Sequence, residues 1–185
     1  MSASVGQLYL MSCYNKYFMK QKSLISQILL TYGDFNNATR KINAKNTLLT
    51  SLKNNVTPIV NENDTVSVEE IKFGDNDKLA GLVSVLVKAD LLILLSSPNG
   101  FYDDKQNRVK YISKLDKKIM SYVSDDLDLS SNLSSNLSTG GMTSKLQAIK
   151  LVTNAKIPAV IASGLISNVI KNLFNNDDIG TQFLV

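Results

Sequence analysis

The chain has 185 residues, 44% of them apolar, so it can bury one sizeable core and is predicted to form one domain over residues 1–185. It contains no histidine and one cysteine, Cys13, which excludes Ser-His-Asp and Cys-His catalysis, histidine zinc sites and an intrachain disulfide. Its 20 Lys and Arg residues outnumber the 16 acidic residues but are scattered, so we interpret them as a solvated surface and expect no nucleic-acid partner.

Neither a membrane span nor a leader is expected from the sequence. The longest clear apolar run, Leu91 to Leu95, is far shorter than the roughly 18 residues that a membrane helix requires. The first residues lack the basic and apolar pattern of a signal peptide. We therefore predict a cytoplasmic protein that does not contact the membrane.

Helical and strand patterns alternate along the chain. Helices are predicted at 1–22, 38–54, 76–88, 143–156 and 166–175, and strands at 24–31, 56–60, 90–95, 157–163 and 180–185. Residues 98–100 (Pro-Asn-Gly) indicate a turn, and 101–123 are compatible with one short strand and one short helix. The Asn-Leu-Ser repeats of 125–138 indicate a low-complexity loop. This alternation predicts an α/β fold with a mainly parallel sheet.

Residues 58–77 form an acidic and asparagine-rich segment that begins in the second predicted strand, and its acidic and asparagine residues follow that strand. It holds six of the 16 acidic residues: Glu62, Asp64, Glu69, Glu70, Asp75 and Asp77. Ligands bind at the carboxyl ends of strands in open α/β sheets, where carboxylates can hold an amine or a metal and asparagine amides both donate and accept. The alternative is a surface loop of common turn residues, in which Asp75 or Asn76 merely caps the next helix.

A second segment, TGGMTSK at 139–145, lies where the low-complexity loop enters a predicted helix. Paired glycines allow a ligand to approach the backbone, and the N–H groups of a helix N-terminus favour an anion. Thr143 or Ser144 is predicted to cap this helix, and Lys145 in its first turn could reach a phosphate. The spacing does not match a Walker A motif, and an ordinary loop ending remains the alternative.

The segments NENDTVSVEEIKFGDND, ADLLILLS with a following GFY, and TGGMTSKLQA occur in this order in the glutamate 5-kinases of the amino acid kinase family, which the chain resembles along essentially its whole length. The resemblance implies a three-layer α/β/α sandwich and a homo-oligomer. It also implies transfer of the γ-phosphoryl group of ATP, bound with Mg²⁺, to the side-chain carboxylate of L-glutamate, the first step of proline synthesis. That carboxylate is ionised at neutral pH and needs no general base, which is compatible with the absence of histidine.

The family motif also implies roles for individual residues. The glutamate ligands would be Asn61, Asp64, Asp75 and Asn76, with the two aspartates facing the ammonium group. Asp77 would orient the catalytic lysine, and Lys145 would neutralise charge on the transferring phosphoryl group. The ATP contacts would be Ser96, Ser97, Thr139, Gly140, Gly141, Met142, Thr143, Ser144 and Lys145. No metal site made by protein side chains is expected.

The sequence also departs from the family pattern. The family domain begins with two strands that carry another phosphate-binding lysine and a Ser-rich turn, and this sequence starts after both. Ser96-Ser97 stand where a Thr-Asp pair is usual, residues 125–138 replace a compact Gly-rich turn, and the C-terminal accessory domain of many members is absent. Two hypotheses follow. The chain is a glutamate 5-kinase, complemented by a separate N-terminal fragment or a longer reading frame, or it is an inactive truncated remnant that at most binds glutamate or a partner fragment. Little or no activity is expected of the 185 residues alone.

Overall fold

The computed structural model describes residues 2–66, 76–116, 119 and 139–185. They fall into two compact units, Met1–Leu79 and Ala80–Val185, each with its own sheet. Asp75, the low-complexity segment 125–138 and residues 117–118 and 120–123 of the segment 101–123 lie outside the described residues. Within the described ranges, no helix is long and apolar enough to cross a membrane.

The first unit is built around two parallel strands. Its elements are α1 (Ser2–Lys20), β1 (Leu24–Leu30), α2 (Tyr32–Asn36), α3 (Ala38–Lys53), β2 (Val56–Glu62) and the start of α4 (Asn76–Val87). The helices α2 and α3 form the crossover that parallel strands require. β2 extends two residues past its predicted end at Val60, because Asn61 and Glu62 still pair with β1 although neither is a strong strand former.

The short helix α2 was not predicted, and a capping box explains it. The buried Asp34 carboxylate accepts hydrogen bonds from the Thr31 amide at 2.6 Å and the Thr31 hydroxyl at 3.0 Å. Arg40, in the first turn of α3, forms an ion pair with the same carboxylate at 2.7 Å. The Thr-x-x-Asp spacing at residues 31–34 resembles the capping-box signature and could have revealed this helix.

The helices of the first unit leave much apolar surface exposed. On α3, Leu48 is buried, whereas Ile42 is 58% exposed and Leu52 is 49% exposed. On α1, Leu8 and Tyr9 are 71% and 70% exposed. Periodicity therefore found the helices correctly, but it did not determine which residues are buried.

The second unit contains a four-stranded sheet in the order β3-β5-β6-β4. Its elements are the rest of α4, then β3 (Leu92–Ser96), β4 (Tyr111–Ile112), α5 (Thr139–Asn154), β5 (Ala159–Ser163), α6 (Val169–Phe174) and β6 (Thr181–Phe183). β3 pairs with β5 and β4 with β6 in parallel, while β5 and β6 are antiparallel. The mixed α/β fold with parallel pairing is confirmed, and β6 is the exception.

Helix α5 packs one face on this sheet. Leu146, Ile149 and Val152 have no exposed surface and recur every third residue, as expected for the buried side of a helix. The helix begins at Thr139, four residues before its predicted start at Thr143. The predicted caps, Thr143 and Ser144, are therefore interior residues, and Lys145 lies in the second turn. Glycine lowers helix propensity by only about 1 kcal/mol relative to alanine, so the pair at 140–141 does not prevent the additional turn.

Thr181, on β6, holds the predicted turn at 98–100 and the residues after it in place. Gly100 has φ +117°, and a Cβ there would lie 2.5 Å from the Thr181 hydroxyl. That hydroxyl is fully buried, accepts a hydrogen bond from the Phe101 amide at 2.8 Å and donates one to the Val109 carbonyl at 2.5 Å. One side chain on β6 therefore holds two points of the long β3–β4 connection.

Candidate active site

Polar side chains collect at the carboxyl edge of the first unit's sheet. Because β1 and β2 are parallel, both strands end at this edge, and the Asn63 amide continues the ladder by donating to the Leu30 carbonyl at 2.8 Å. Glu62, the last residue of β2, is only 8% exposed, while Asp64 is exposed in the turn that follows. The first acidic residue of the segment, Glu62, therefore lies within the strand, whereas the sequence had predicted all of these acidic residues to follow the strand.

Two of the predicted glutamate ligands are in direct contact. The Asn76 Nδ2 group, at the start of α4, donates a hydrogen bond to Asn61 Oδ1 at 3.0 Å. Fifteen residues separate them in sequence, so only the fold brings these amides together. Asp77 lies half-buried in the first turn of the same helix. The fourth predicted ligand, Asp75, lies outside the described residues.

The amide network extends to a residue that the sequence did not indicate. Asn61 Nδ2 donates to Gln7 Oε1, on α1, at 2.9 Å. No motif marks a single glutamine within a helix of otherwise apolar periodicity, so nothing in the sequence pointed to this contact. A cleft of about 230 Å³ beside it is lined by Ser4, Gln7, Gln27, Leu29, Glu62, Asn63, Asp64 and Thr65.

In the second unit, the predicted nucleotide residue Ser96 is the last residue of β3, and Ser97 follows it. The Gly164 amide donates to the Ser96 carbonyl at 2.9 Å, and the Ser163 hydroxyl donates to the Ser97 carbonyl at 2.9 Å. These bonds fix the ends of β3 and β5 to each other. The backbone of the Ser-Ser pair is thereby held in place by two hydrogen bonds from the end of β5.

Helix α5 begins at the same edge of this sheet. A four-residue connection, 155–158, leads from the end of α5 to the start of β5, so the helix runs antiparallel to β5. Its N-terminus therefore lies towards the carboxyl ends of β3 and β5. The first N–H groups of a helix lack intrahelical acceptors, and a Cβ added to Gly141 would meet nothing within 4 Å. Among the described residues, nothing crowds this position, and the first turn of α5 has the backbone donors that phosphate oxygens require.

The remaining predicted residues of α5 divide into two groups. Met142 packs against the hydrophobic core of the second unit, which favours a packing role for its side chain. Thr143, Ser144 and Lys145 are half-buried on the helix. Among the described residues, no cluster of three or more His, Cys, Asp or Glu side chains could hold a metal ion.

The chain is similar in sequence to known kinases. The amino acid kinase family matches residues 1–163. Over 98% of the chain, 40% of residues are identical to those of glutamate 5-kinases from Thermoanaerobacter sp. (strain X514) and Clostridium perfringens. The chain spans 49% of the first relative and 69% of the second.

A solved structure agrees at the level of the fold. The UMP kinase from Ureaplasma parvum superposes with a TM-score of 0.55 over 92% of this chain and 62% of its own, at 10% identity. Such low identity supports the shared architecture alone. With the family match and the nearly end-to-end similarity to curated relatives, the chain belongs to the amino acid kinase family, in its glutamate 5-kinase branch.

Proposed function

We propose that the protein takes part in phosphorylating the side-chain carboxylate of L-glutamate with ATP, which is the reaction that opens proline synthesis. The observation that carries the proposal is the 40% identity with proteins named glutamate 5-kinase over 98% of this chain. The contact between Asn61 and Asn76 supports it, since both were predicted as glutamate ligands and they meet at a strand's carboxyl end.

The chemistry requires few reactive groups from the protein. The glutamate carboxylate is already ionised, so it attacks the γ-phosphorus directly and the leaving ADP oxygen takes the charge. Catalysis then depends on positioning and on stabilising the charge of the transferring group. In this proposal Asn61, Asp64, Asp75 and Asn76 bind glutamate, while Asp77 and Lys145 keep the catalytic roles that the family motif implies.

The first turn of α5 and the Ser96-Ser97 segment offer groups that suit the nucleotide. In the proposal, the backbone N–H groups of 139–144 donate hydrogen bonds to phosphate oxygens, and Mg²⁺ arrives with ATP and neutralises part of its charge. A cytoplasmic location and a homo-oligomer follow from the resemblance to biosynthetic kinases. The exposed apolar residues of α1 provide a surface that such an oligomer could cover.

The test measures ATP-dependent formation of glutamyl hydroxamate from L-glutamate and hydroxylamine. Because the chain spans about half of the Thermoanaerobacter relative, two samples are compared. One is the 185 residues alone, and the other is the same chain co-expressed with the part of the Clostridium perfringens relative that it does not match. We expect little or no turnover in the first sample and L-glutamate-specific turnover in the second.

Variants make the test specific to the proposed residues. Lys145→Met should lower turnover by about 10²–10³-fold, as expected for loss of an electrostatic group at the reacting phosphoryl. Lys150→Met, an exposed position on the same helix, serves as the control and should leave turnover unchanged. Asp64→Ala should abolish L-glutamate binding. Glutamate binding without turnover in either sample would favour the inactive remnant, and no glutamate binding at all would refute the assignment of the acidic segment.

A further inference from the structure

Gln7 is linked to the predicted substrate residues by its side chain. Its Oε1 accepts from Asn61 Nδ2 at 2.9 Å, and Asn61 Oδ1 accepts from Asn76 Nδ2 at 3.0 Å. Three carboxamides, on α1, β2 and α4, therefore form a chain of hydrogen bonds. In this chain Asn76 donates to Asn61, and Asn61 donates to Gln7. Gln7 Nε2 is buried and makes no hydrogen bond within the described part of the protein.

This chain ties the orientation of the Asn61 amide to the orientations of its two neighbours. Rotating the Asn61 amide alone by 180°, with Gln7 and Asn76 unchanged, would place its oxygen against Gln7 Oε1 and its NH₂ group against the NH₂ group of Asn76. Both contacts would then pair like with like, and neither could form a hydrogen bond. Gln7, which supplies the acceptor at one end, therefore helps to decide where the donor and acceptor of Asn61 point.

We propose that Gln7 is a positioning residue of the glutamate site, which acts by fixing the Asn61 amide. The inference rests on the proposed function, because Asn61 and Asn76 are glutamate ligands only within it. Beyond the two bonds of the chain, Asn61 has one further N–H and one further lone pair. With Gln7 in place these groups have fixed directions, and a ligand need not select the correct rotamer before it binds.

The size of the effect follows from the strength of one neutral hydrogen bond. Loss of such a bond weakens an interaction by about two- to twelvefold. Gln7→Met keeps the length of the side chain and removes the acceptor, so it should raise the Kd for L-glutamate by about threefold to tenfold, without changing the affinity for ATP. Gln21→Met, an exposed glutamine just after α1, is the matched control and should leave both affinities unchanged.

A double-mutant cycle separates positioning from a general structural effect. If Gln7 acts through Asn61, Gln7→Met should have no further effect on the glutamate Kd in an Asn61→Ala background. Calorimetric titration of all four proteins with L-glutamate measures this, and thermal unfolding checks that each variant is folded. Full additivity of the two substitutions would overturn the proposal.

A second measurement does not depend on a ligand. In ¹⁵N NMR spectra, the side-chain amide protons of Asn61 should exchange more slowly with water in the wild type than in Gln7→Met. Gln7→Glu retains acceptor oxygens at the same position and should preserve the slow exchange, although its charge makes it unsuitable for the binding test.

The two measurements distinguish the two possible failures. Absence of glutamate binding by the wild type would refute the proposed function, while the exchange rates would still test the role of Gln7. Equal exchange in the wild type and Gln7→Met would overturn the positioning role. Fast exchange in Gln7→Glu would also overturn it, because the acceptor would then not be what holds Asn61.

Discussion

The buried hydroxyl of Thr181 gives the sharpest stability prediction. It accepts from the Phe101 amide at 2.8 Å and donates to the Val109 carbonyl at 2.5 Å, in a position with no exposed surface. Thr181→Val keeps the side-chain shape and removes both bonds. Each buried donor or acceptor that loses its hydrogen-bond partner lowers the free energy of unfolding by about 1–3 kcal/mol. We therefore expect Thr181→Val to lower the free energy of unfolding by about 2–4 kcal/mol.

A complementary substitution isolates the hydroxyl from the methyl group. Thr181→Ser keeps both hydrogen bonds and loses one buried methyl, which costs about 1 kcal/mol. Valine is therefore expected to destabilise more than serine, the reverse of the order for a purely apolar position. Thr47→Val, which removes the hydroxyl of an exposed threonine on α3, is the control and should change stability by less than about 0.5 kcal/mol.

Urea unfolding followed by circular dichroism measures all three variants. A lower midpoint at unchanged slope would show that stability has changed and that the surface exposed on unfolding has not. If Thr181→Val costs no more than Thr181→Ser, the hydroxyl does not stabilise the β3–β4 connection and the reasoning is refuted.

Two further stability predictions concern the same unit. Gly180 has φ +72°, and a Cβ there would lie 2.5 Å from the Ile161 carbonyl oxygen. Gly180→Ala should therefore lower the free energy of unfolding, measured in urea, by more than about 2 kcal/mol. A smaller decrease would show that β6 can shift to make room for the methyl group. The hydrogen bond from Arg108 lowers the pKa of Asp178 from its ordinary value of 3.8. Because the folded-state pKa is the lower one, this contribution is present above 3.8 and is lost as the pH falls through the lowered value. At low salt, the free energy of unfolding of Asp178→Asn should therefore fall less steeply with decreasing pH than that of the wild type. An equally steep fall would contradict the role of the Arg108–Asp178 pair.

Sequence reasoning located most elements because their patterns are local. The alternation of helical and apolar strand segments predicted β1, β3 and β5 nearly at their observed bounds, since buried parallel strands read as short apolar runs. Helix α5 was placed correctly apart from its start, where two glycines suggested a loop. Helix α2 was missed because it has five residues and no apolar period, although its capping box was present.

The candidate site was predicted in part for a similar reason. Asn61 and Asp64 could be identified because the acidic segment matches a family motif at fixed spacing. Gln7 could not, because its contact with Asn61 spans 54 residues and depends on how α1 lies against β2. A side chain acquires such a role only from its neighbours in space, and no local pattern records them.

The sequence by itself determined the class of the fold, the membership of a kinase family and the residue types available for chemistry. The fold class and the available residue types follow from periodicity and composition, and the family follows from the resemblance of short motifs to those of known kinases. The tertiary structure alone decided that Asn61 ends a strand and meets both Gln7 and Asn76, and that Thr181 ties β6 to the β3–β4 connection. Hydrogen bonds between distant segments depend on distance and direction in the folded chain, and only packing sets these.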